Sequence, residues 1–422
     1  MSQSRESDNT PRLPFRPIAG GVLIVVLLLL AWRGGRSGFA SLLTAYAAKS
    51  NDIGAADLSV RLDPRNPDSH YVRGTILEGY SDLPGAVEEY RKAAMARPSD
   101  YALWLSLARA QELNAETSGA IAAARQAIPL APYYAQPHYQ LGNILLRAGQ
   151  KDEAFRELGL AGISNPALMP GVIDLAWRMS GGNAQYVERA MAPNTPSTYQ
   201  MLGQYFRQHE AVDAAIAMFL AAGSAAEADR RSYLAELIGA KQFKAAARLW
   251  AVGRSSGPAE GVLTDPGFEE ENSLNEPGFG WRWEDKPQGF HVSLDPANPR
   301  QGRYCLKVEF NGNHNPDSPI VSQLVLVEPN AHYQLQFSIR AEDLVSGGLP
   351  RLLITDANTN NVLGQSVEFP RASGGWRDYV IDFRSGQSTG AVQVALQRQI
   401  CDRTPCPIFG RLWLDNFGLQ KL

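Results

Sequence analysis

The sequence predicts a multidomain chain: one N-terminal transmembrane helix, an all-α solenoid, and an all-β sandwich after it. Three observations predict this. An unbroken apolar run, Ile18 to Trp32, follows a polar segment rich in Arg and Pro. Small residues and prolines recur with a period of about 34 residues through the Ala- and Leu-rich stretch that comes next. From about residue 258 Ala falls away while Gly, Pro, Asn, Val and Phe rise, which is the change from helical to strand chemistry. At 422 residues the chain is also too long for one ordinary core. The expected boundaries are a polar tail over 1–17, an anchor over 18–32, the solenoid over 38–254 and the sandwich over 262–422.

The apolar run reads "IAGGVLIVVLLLLAW". It is short against the roughly 20 residues that cross a bilayer, but Arg16 and Arg33 can snorkel to the two interfaces. A cleaved signal peptide is the rival reading, with small residues at Gly38-Phe39-Ala40. The length of the run and the arginines between it and that site favour an uncleaved anchor. Arginines before the run (Arg5, Arg12, Arg16) are matched by Arg33, Arg36 and Lys49 after it, so charge does not orient the span.

The recurrence is specific. Gly74, Ala86, Tyr90, Ala93 and Pro98 return one period later as Ala108, Ala120, Ala124, Ala127 and Pro132. They return again as Gly142, Ala154, Leu158, Ala161 and Pro166. Two antiparallel helices per unit explain the pattern. A small residue lets the helices approach, a larger one on the second helix fills the space, and a proline opens the next unit. The segment before residue 65 reads as the second helix of a shortened first unit. After Pro166 the register decays, then resumes with Gly203, Ala215, Phe219 and Ala222, and a last unit carries Ala246 and Trp250.

This pattern resembles the tetratricopeptide repeat family over residues 38–254. The resemblance implies that the first helix of each unit lines a concave groove for a peptide or protein partner. The groove-facing positions it implies are Tyr71, Thr75, Arg109, Glu112, Tyr139, Asn143, Arg147, Gln200, Gln204 and Arg207.

The end of the chain alternates in short runs, "RYCLKVEF", "AHYQLQFSIRAE", "RDYVIDF", "AVQVALQ" and "RLWLDNFGLQ", split by turn clusters such as "NGNHNP" and "RSGQSTG". Seven or eight such strands predict an antiparallel sandwich. The order "DPGFEE", "GFGWRW", "QGRYCLKVEF", "GGWRDYVIDF" and "GRLWLDNFGLQ" looks like the galactose-binding-like jelly roll of carbohydrate-binding modules. Two candidate sites follow, one from alternation and one from the resemblance. Trp281 and Trp283 fall on one face of a strand and offer a sugar platform, although the resemblance places Trp281 rather in the sandwich or against its rim. Glu269 and Asp415 stand where such modules hold a structural calcium, though Asp415 could instead accept hydrogen bonds from a turn. Trp376 and Trp413 read as core.

Cys401 and Cys406 flank a polar loop, "CDRTPC", short enough to bring their Cα atoms within disulfide range. Cys305, between alternating apolar positions, reads as a free thiol. A persistent disulfide implies an oxidising compartment, which would leave the tail inside and the bulk of the chain extracytoplasmic.

Chemistry-bearing motifs are scarce. Net charge is −3 with dispersed basic residues, so no case exists for nucleic acid. Six histidines and three cysteines show no zinc spacing, and neither a phosphate loop nor a nucleophile elbow occurs. The run Glu269-Glu270-Glu271 is not a placed acid–base pair. No catalytic residue and no required cofactor are expected. The function expected is therefore a membrane-anchored, non-enzymatic adaptor. Its groove would take a protein partner, and its jelly roll would meet polysaccharide or another envelope component. Architectures like this resemble those of bacterial exopolysaccharide or envelope assembly, in the periplasm. The alternatives are a purely protein-binding scaffold and an ancillary subunit of a glycosyl-transfer or hydrolytic complex.

Overall fold

The computed structural model describes residues 15–251, 254, 257–270, 277–283, 288–401 and 405–422, with backbone alone for 15–22. Glu271 and Asp402 to Thr404, named above, lie outside the described residues. Contacts divide the chain into two compact units, Met1–Ala192 and Pro193–Leu422.

The first unit opens with α1 (Phe15–Ser50), one helix of 36 residues that runs without a break through Gly34 and Gly35. Leu23 to Leu30 and Trp32 are exposed, and over Leu23–Ser50 the helix is long and apolar enough to cross a membrane by length and composition. Its far end is different: Ala40, Thr44 and Ala47 are buried against α2 (Ile53–Leu62) and α3 (Pro67–Gly79). The hydroxyl of Thr44 lies 2.7 Å from Ser59 Oγ and 2.9 Å from Ser69 Oγ, a closed polar triad linking the three helices. Arg36 caps α2 from the side, donating to Leu62 O at 2.8 Å, and Ser37 Oγ donates to Asp63 at 2.6 Å.

Hairpins follow in strict register. Helices α3, α5 (Tyr101–Leu113), α7 (Ala135–Arg147) and α9 (Met169–Met179) start at equal intervals, at positions 67, 101, 135 and 169. Their partners α4 (Leu83–Ala96), α6 (Thr117–Ala127) and α8 (Lys151–Ser164) start at 83, 117 and 151, and α10 (Ala184–Met191) closes the unit. Asn66 and Asp100 side chains cap α3 and α5, satisfying amides the helices leave open. The small-to-large pairing is visible in the packing. A Cβ on Gly74 would meet the Tyr90 ring at 3.2 Å, and one on Gly142 would meet Leu158 at 2.7 Å. The turns repeat as well: Ser81, Ala115 and Gly149 all hold positive φ, at 64°, 61° and 78°.

The second unit holds α11 (Pro196–Gln208), α12 (Val212–Ala221), α13 (Glu227–Gly239) and α14 (Phe243–Trp250), then nine strands among the described residues. Strands β1 (Phe290–Asp295), β2 (Cys305–Asn313), β4 (His332–Ser346), β7 (Arg377–Arg384) and β9 (Pro407–Lys421) form one antiparallel sheet, in the order β1-β2-β9-β4-β7. The other has the order β3-β8-β5-β6, from β3 (Val321–Leu326), β5 (Pro350–Asp356), β6 (Val362–Gln365) and β8 (Ala391–Arg398). Alternate residues of both sheets meet in one hydrophobic cluster that includes Leu306, Val308, Ile339, Ile354, Val394 and Leu412. A bulge between β4 and β9 requires Gly410 (φ 108°), because a Cβ there would sit 2.3 Å from Asp343 O.

The last hairpin is buried on the sheet region. Trp250 Nε1 donates to Pro277 O at 3.1 Å, its ring lies 6.0 Å from that of Phe279, and Lys241 Nζ donates to Ala357 O at 2.7 Å. Helix gives way to strand where the composition changes, but the compact unit that contains the strands begins earlier, at Pro193.

Candidate functional site

The first helices of successive hairpins lie side by side, since Gln140 on α7 donates to Leu105 O on α5 at 2.8 Å. Most of the predicted groove residues sit on this surface engaged with each other or with their neighbours. Arg109 is paired with Glu78 of the preceding hairpin, one of its bonds at 2.9 Å, and Arg147 is paired with Glu112 in the same way. In the second unit Arg207 Nε donates to Glu236 at 2.8 Å, and Gln200 and Gln204 both donate to Asp229, at 2.7 and 3.2 Å. These side chains form a ladder from hairpin to hairpin.

Thr75 donates to its own helix at Tyr71 O, and its hydroxyl oxygen lies 3.2 Å from the Tyr90 hydroxyl. Burial pushes the Tyr90 phenol up to about 12, so it stays protonated, and its one proton goes to Glu78 at 2.9 Å rather than to Thr75. Thr75, Arg109, Arg147 and Gln204 are exposed although engaged, and Tyr71 (39% exposed) and Tyr139 (44% exposed) add accessible aromatic rings to the same surface.

Behind the ladder lies a buried ionic cluster that residue spacing did not single out. His70 Nδ1 lies 2.6 Å from Glu89 Oε2, and its Nε2 lies 2.9 Å from Pro64 O. Both partners are acceptors, so the ring that makes both bonds is an imidazolium. Arg73 reaches Glu89 at 2.9 Å and Asp57 at 2.6 Å, and Lys92 reaches Glu89 at 3.1 Å. Burial would push the Glu89 carboxyl up. The bonds from His70 and Lys92 outweigh it and hold the group at about 2. The bond to Glu89 likewise raises His70 against the opposing effect of burial. Two units on, His138 Nδ1 lies 2.7 Å from Glu157. The same period that exposes the hairpins could have found this: His138 and Glu157 stand two full periods beyond His70 and Glu89.

In the sheet region the sugar platform is corrected. Trp281 is 2% exposed, its ring 5.1 Å from Phe268 and 4.8 Å from Phe417, and its Nε1 donates to Asp265 O at 3.0 Å. Trp283 packs partly buried against the same core. No flat pair of rings faces solvent there. Trp413 and Trp376 are also placed differently from the core reading. Trp413 is buried, but its neighbours Leu412 and Leu414 face the shared cluster, so it stands on the outer face of its sheet. It pairs across strands with Lys307 and Arg340, with the Arg340 guanidinium 4.1 Å over its ring. Trp376, half-buried, has the same guanidinium at 5.6 Å.

Glu269 and Asp415 lie near one another, both within 4.0 Å of the Cβ direction of Gly267. The groups aimed at them are amides. Glu269 Oε1 accepts from Arg303 N at 2.7 Å and Tyr304 N at 3.2 Å. Asp415 accepts from Arg300 N at 2.7 Å, Gln301 N at 3.0 Å and Asn416 N at 2.6 Å. A hard cation needs oxygens where these N–H groups stand, so the arrangement fits a clasp on residues 300–304 and does not fit calcium. Burial still raises Asp415 despite its three donors. Among the described residues no group of three His, Cys, Asp or Glu could hold a metal.

Cys401 and Cys406 are joined in a disulfide, with Cα atoms 6.1 Å apart. Cys305 is free and buried, and burial, then the charges of Asp295 and Asp415, pushes its thiol up to about 12.

No protein-family model matches the chain, and no curated protein matches it. Solved structures resemble parts of it. One of MamA is 23% identical, covers 33% of this chain and 85% of its own, and has a TM-score of 0.30. PilF from Pseudomonas aeruginosa is 17% identical over 44% of this chain and 90% of its own, at 0.31. YrrB, described as a TPR protein with an unusual peptide-binding site, is 19% identical over 43% and 84%, at 0.28.

Proposed function

We propose that this chain is a membrane-anchored, non-enzymatic scaffold that offers its helical hairpins to a protein partner. One observation carries the reading: the apolar half of α1 and the first helix of the first hairpin are the same helix, so the first unit meets the bilayer without a linker. Cleavage after Ala40 would remove Arg36, Ser37 and Ala40 from their places against α2, which argues for the uncleaved anchor. The disulfide supports an oxidising compartment for residues beyond the anchor, and hence a periplasmic bulk. The accessible aromatics Tyr71 and Tyr139 supply the apolar contact a peptide needs. The finer reading, that the sheet region meets a polysaccharide or another envelope component, rests on the outer-face row of Lys307, Trp413, Arg340 and Trp376. In that row the Lys307 and Arg340 cations lie over the buried Trp413 ring, so what it offers an acidic glycan is positive charge and the half-buried Trp376, not an open ring at Trp413.

The test is a photo-crosslinking residue at Tyr139 of the full chain in native membranes, followed by a carbonate wash. The chain should stay in the membrane fraction and crosslink to a protein partner. Release into the wash, or a mature N-terminus at Ser41, refutes the anchor. No protein adduct at Tyr139 or, in a second variant, at Tyr71 refutes the groove.

A further inference from the structure

Arg398, on β8, is 1% exposed, and among the described residues everything its guanidinium bonds is neutral. Nη1 donates to the carbonyls of His314 and Cys406, each at 2.9 Å, and Nε donates to Gly348 O at 3.3 Å. Nη2 donates to Ser346 Oγ at 2.7 Å and lies 2.8 Å from Cys406 Sγ, with Cys401 Sγ farther away at 3.9 Å. Among the described residues no carboxylate pairs with it, and burial alone pushes its guanidinium down. A buried cation without a counter-ion is an unfavourable arrangement, and disulfide sulfur is only a weak acceptor. The neighbourhood shows the strain of that charge: burial, then the charge of Arg398, pushes the His314 imidazole down to about 4. A thiolate at Cys406 would supply the anion that none of the described carboxylates provides.

Access exists on the other side. A cavity of about 440 Å³ opens at the ends of β2 and β8, lined by both cysteines together with Pro316, Ile400 and Pro405. The geometry points to a redox-responsive disulfide: an incoming thiol attacks Cys401 from this cavity, and Cys406 departs as a thiolate held by Arg398. The thiolate RS⁻ forms a bond to Cys401 Sγ while the Sγ–Sγ bond breaks, its electron pair going to Cys406. A second thiol then displaces the first from Cys401. The disulfide has gained two electrons and the two thiols have become RSSR. Two features set the direction. The better-stabilised thiolate leaves faster, and Arg398 stands closer to Cys406 than to Cys401. The ion pair forms only on reduction, so it stabilises the reduced form and makes this bond more oxidising than one packed among apolar side chains.

The test uses the full chain in detergent. Cys401→Ser leaves Cys406 as a lone thiol beside Arg398, and Cys305 is silent because its buried thiol is held at about 12. The rate of alkylation by iodoacetamide against pH should give a midpoint at least one unit below the ordinary ~8.5. Asp317, on the cavity wall, acts in the opposite sense, so a lowered midpoint isolates the guanidinium. In the unmutated chain, glutathione should form its mixed disulfide at Cys401, as mapped by mass spectrometry. A midpoint at or above the ordinary value overturns the proposal, and so does glutathione found on Cys406.

Discussion

Glu89→Gln tests the buried ionic cluster at its centre. The substitution keeps the shape of the side chain and removes its charge, leaving His70 and Lys92 without their shared anion. The carboxyl sits at about 2 against an ordinary 4.5, and its side chain is only 3% exposed. At ~1.36 kcal/mol per pH unit, that difference corresponds to about 3 kcal/mol. This agrees with the roughly 3–5 kcal/mol lost when one partner of a buried pair is removed. Hydrogen exchange read by mass spectrometry on peptides from α3 and α4 reports the local opening energy, corrected for intrinsic rate. Exchange there should rise on the order of 100-fold. The pH dependence has a definite sign. Glu89 is depressed, so its contribution is present above 4.5 and is lost as pH falls toward 2. His70 is raised, so its contribution is present below 6.5 and is lost as pH rises through the raised value. Wild-type protection should therefore decline on the alkaline side, while the variant, lacking the carboxylate that raises His70, declines little. Protection within threefold of wild type, or the same alkaline decline in both proteins, would refute the reasoning.

Two further substitutions test the hairpin geometry. Gly203→Ala would set a Cβ 2.7 Å from the Phe219 ring, and the overpacking should cost roughly 1–3 kcal/mol in urea unfolding; an unchanged transition contradicts the close approach of α11 and α12. Ala115→Gly relieves a left-handed residue (φ 61°) where the next unit already carries Gly149, and should stabilise by about 0.5–1 kcal/mol. A loss of stability would mean that the turn does not hold the positive φ.

The hairpins were legible in the sequence because helix pairing leaves a local record. The step from Gly74 to Tyr90 is the same as that from Gly142 to Leu158, and it recurs at the same place in each unit. The strands were legible for the same kind of reason, since alternation reports one buried face without knowledge of the partner strand. The Cys401–Cys406 pair needed only a short loop. What spacing could not carry was partnership between distant residues. Arg109, Arg147 and Arg207 read as groove cations, yet each is paired with a carboxylate 29 to 35 residues away, on a neighbouring hairpin. Trp281 and Trp283 share a face, but the aromatic packing with Phe417, far along the chain, takes Trp281 into the core.

By itself the sequence determined the order of helix and strand, the repeat period and the apolar run, all of which follow from periodicities of a few residues. Only the tertiary structure decided that the apolar run and the first hairpin helix are one continuous helix, α1. Only it showed that Trp250 buries the last hairpin on the sheet region, so that the helices from Pro196 belong to the same compact unit as the strands. The physical reason is common to all these cases. Local pattern says which face of an element must be buried, whereas the atoms that bury it, and the partners its charges find, are fixed by elements that meet only in three dimensions.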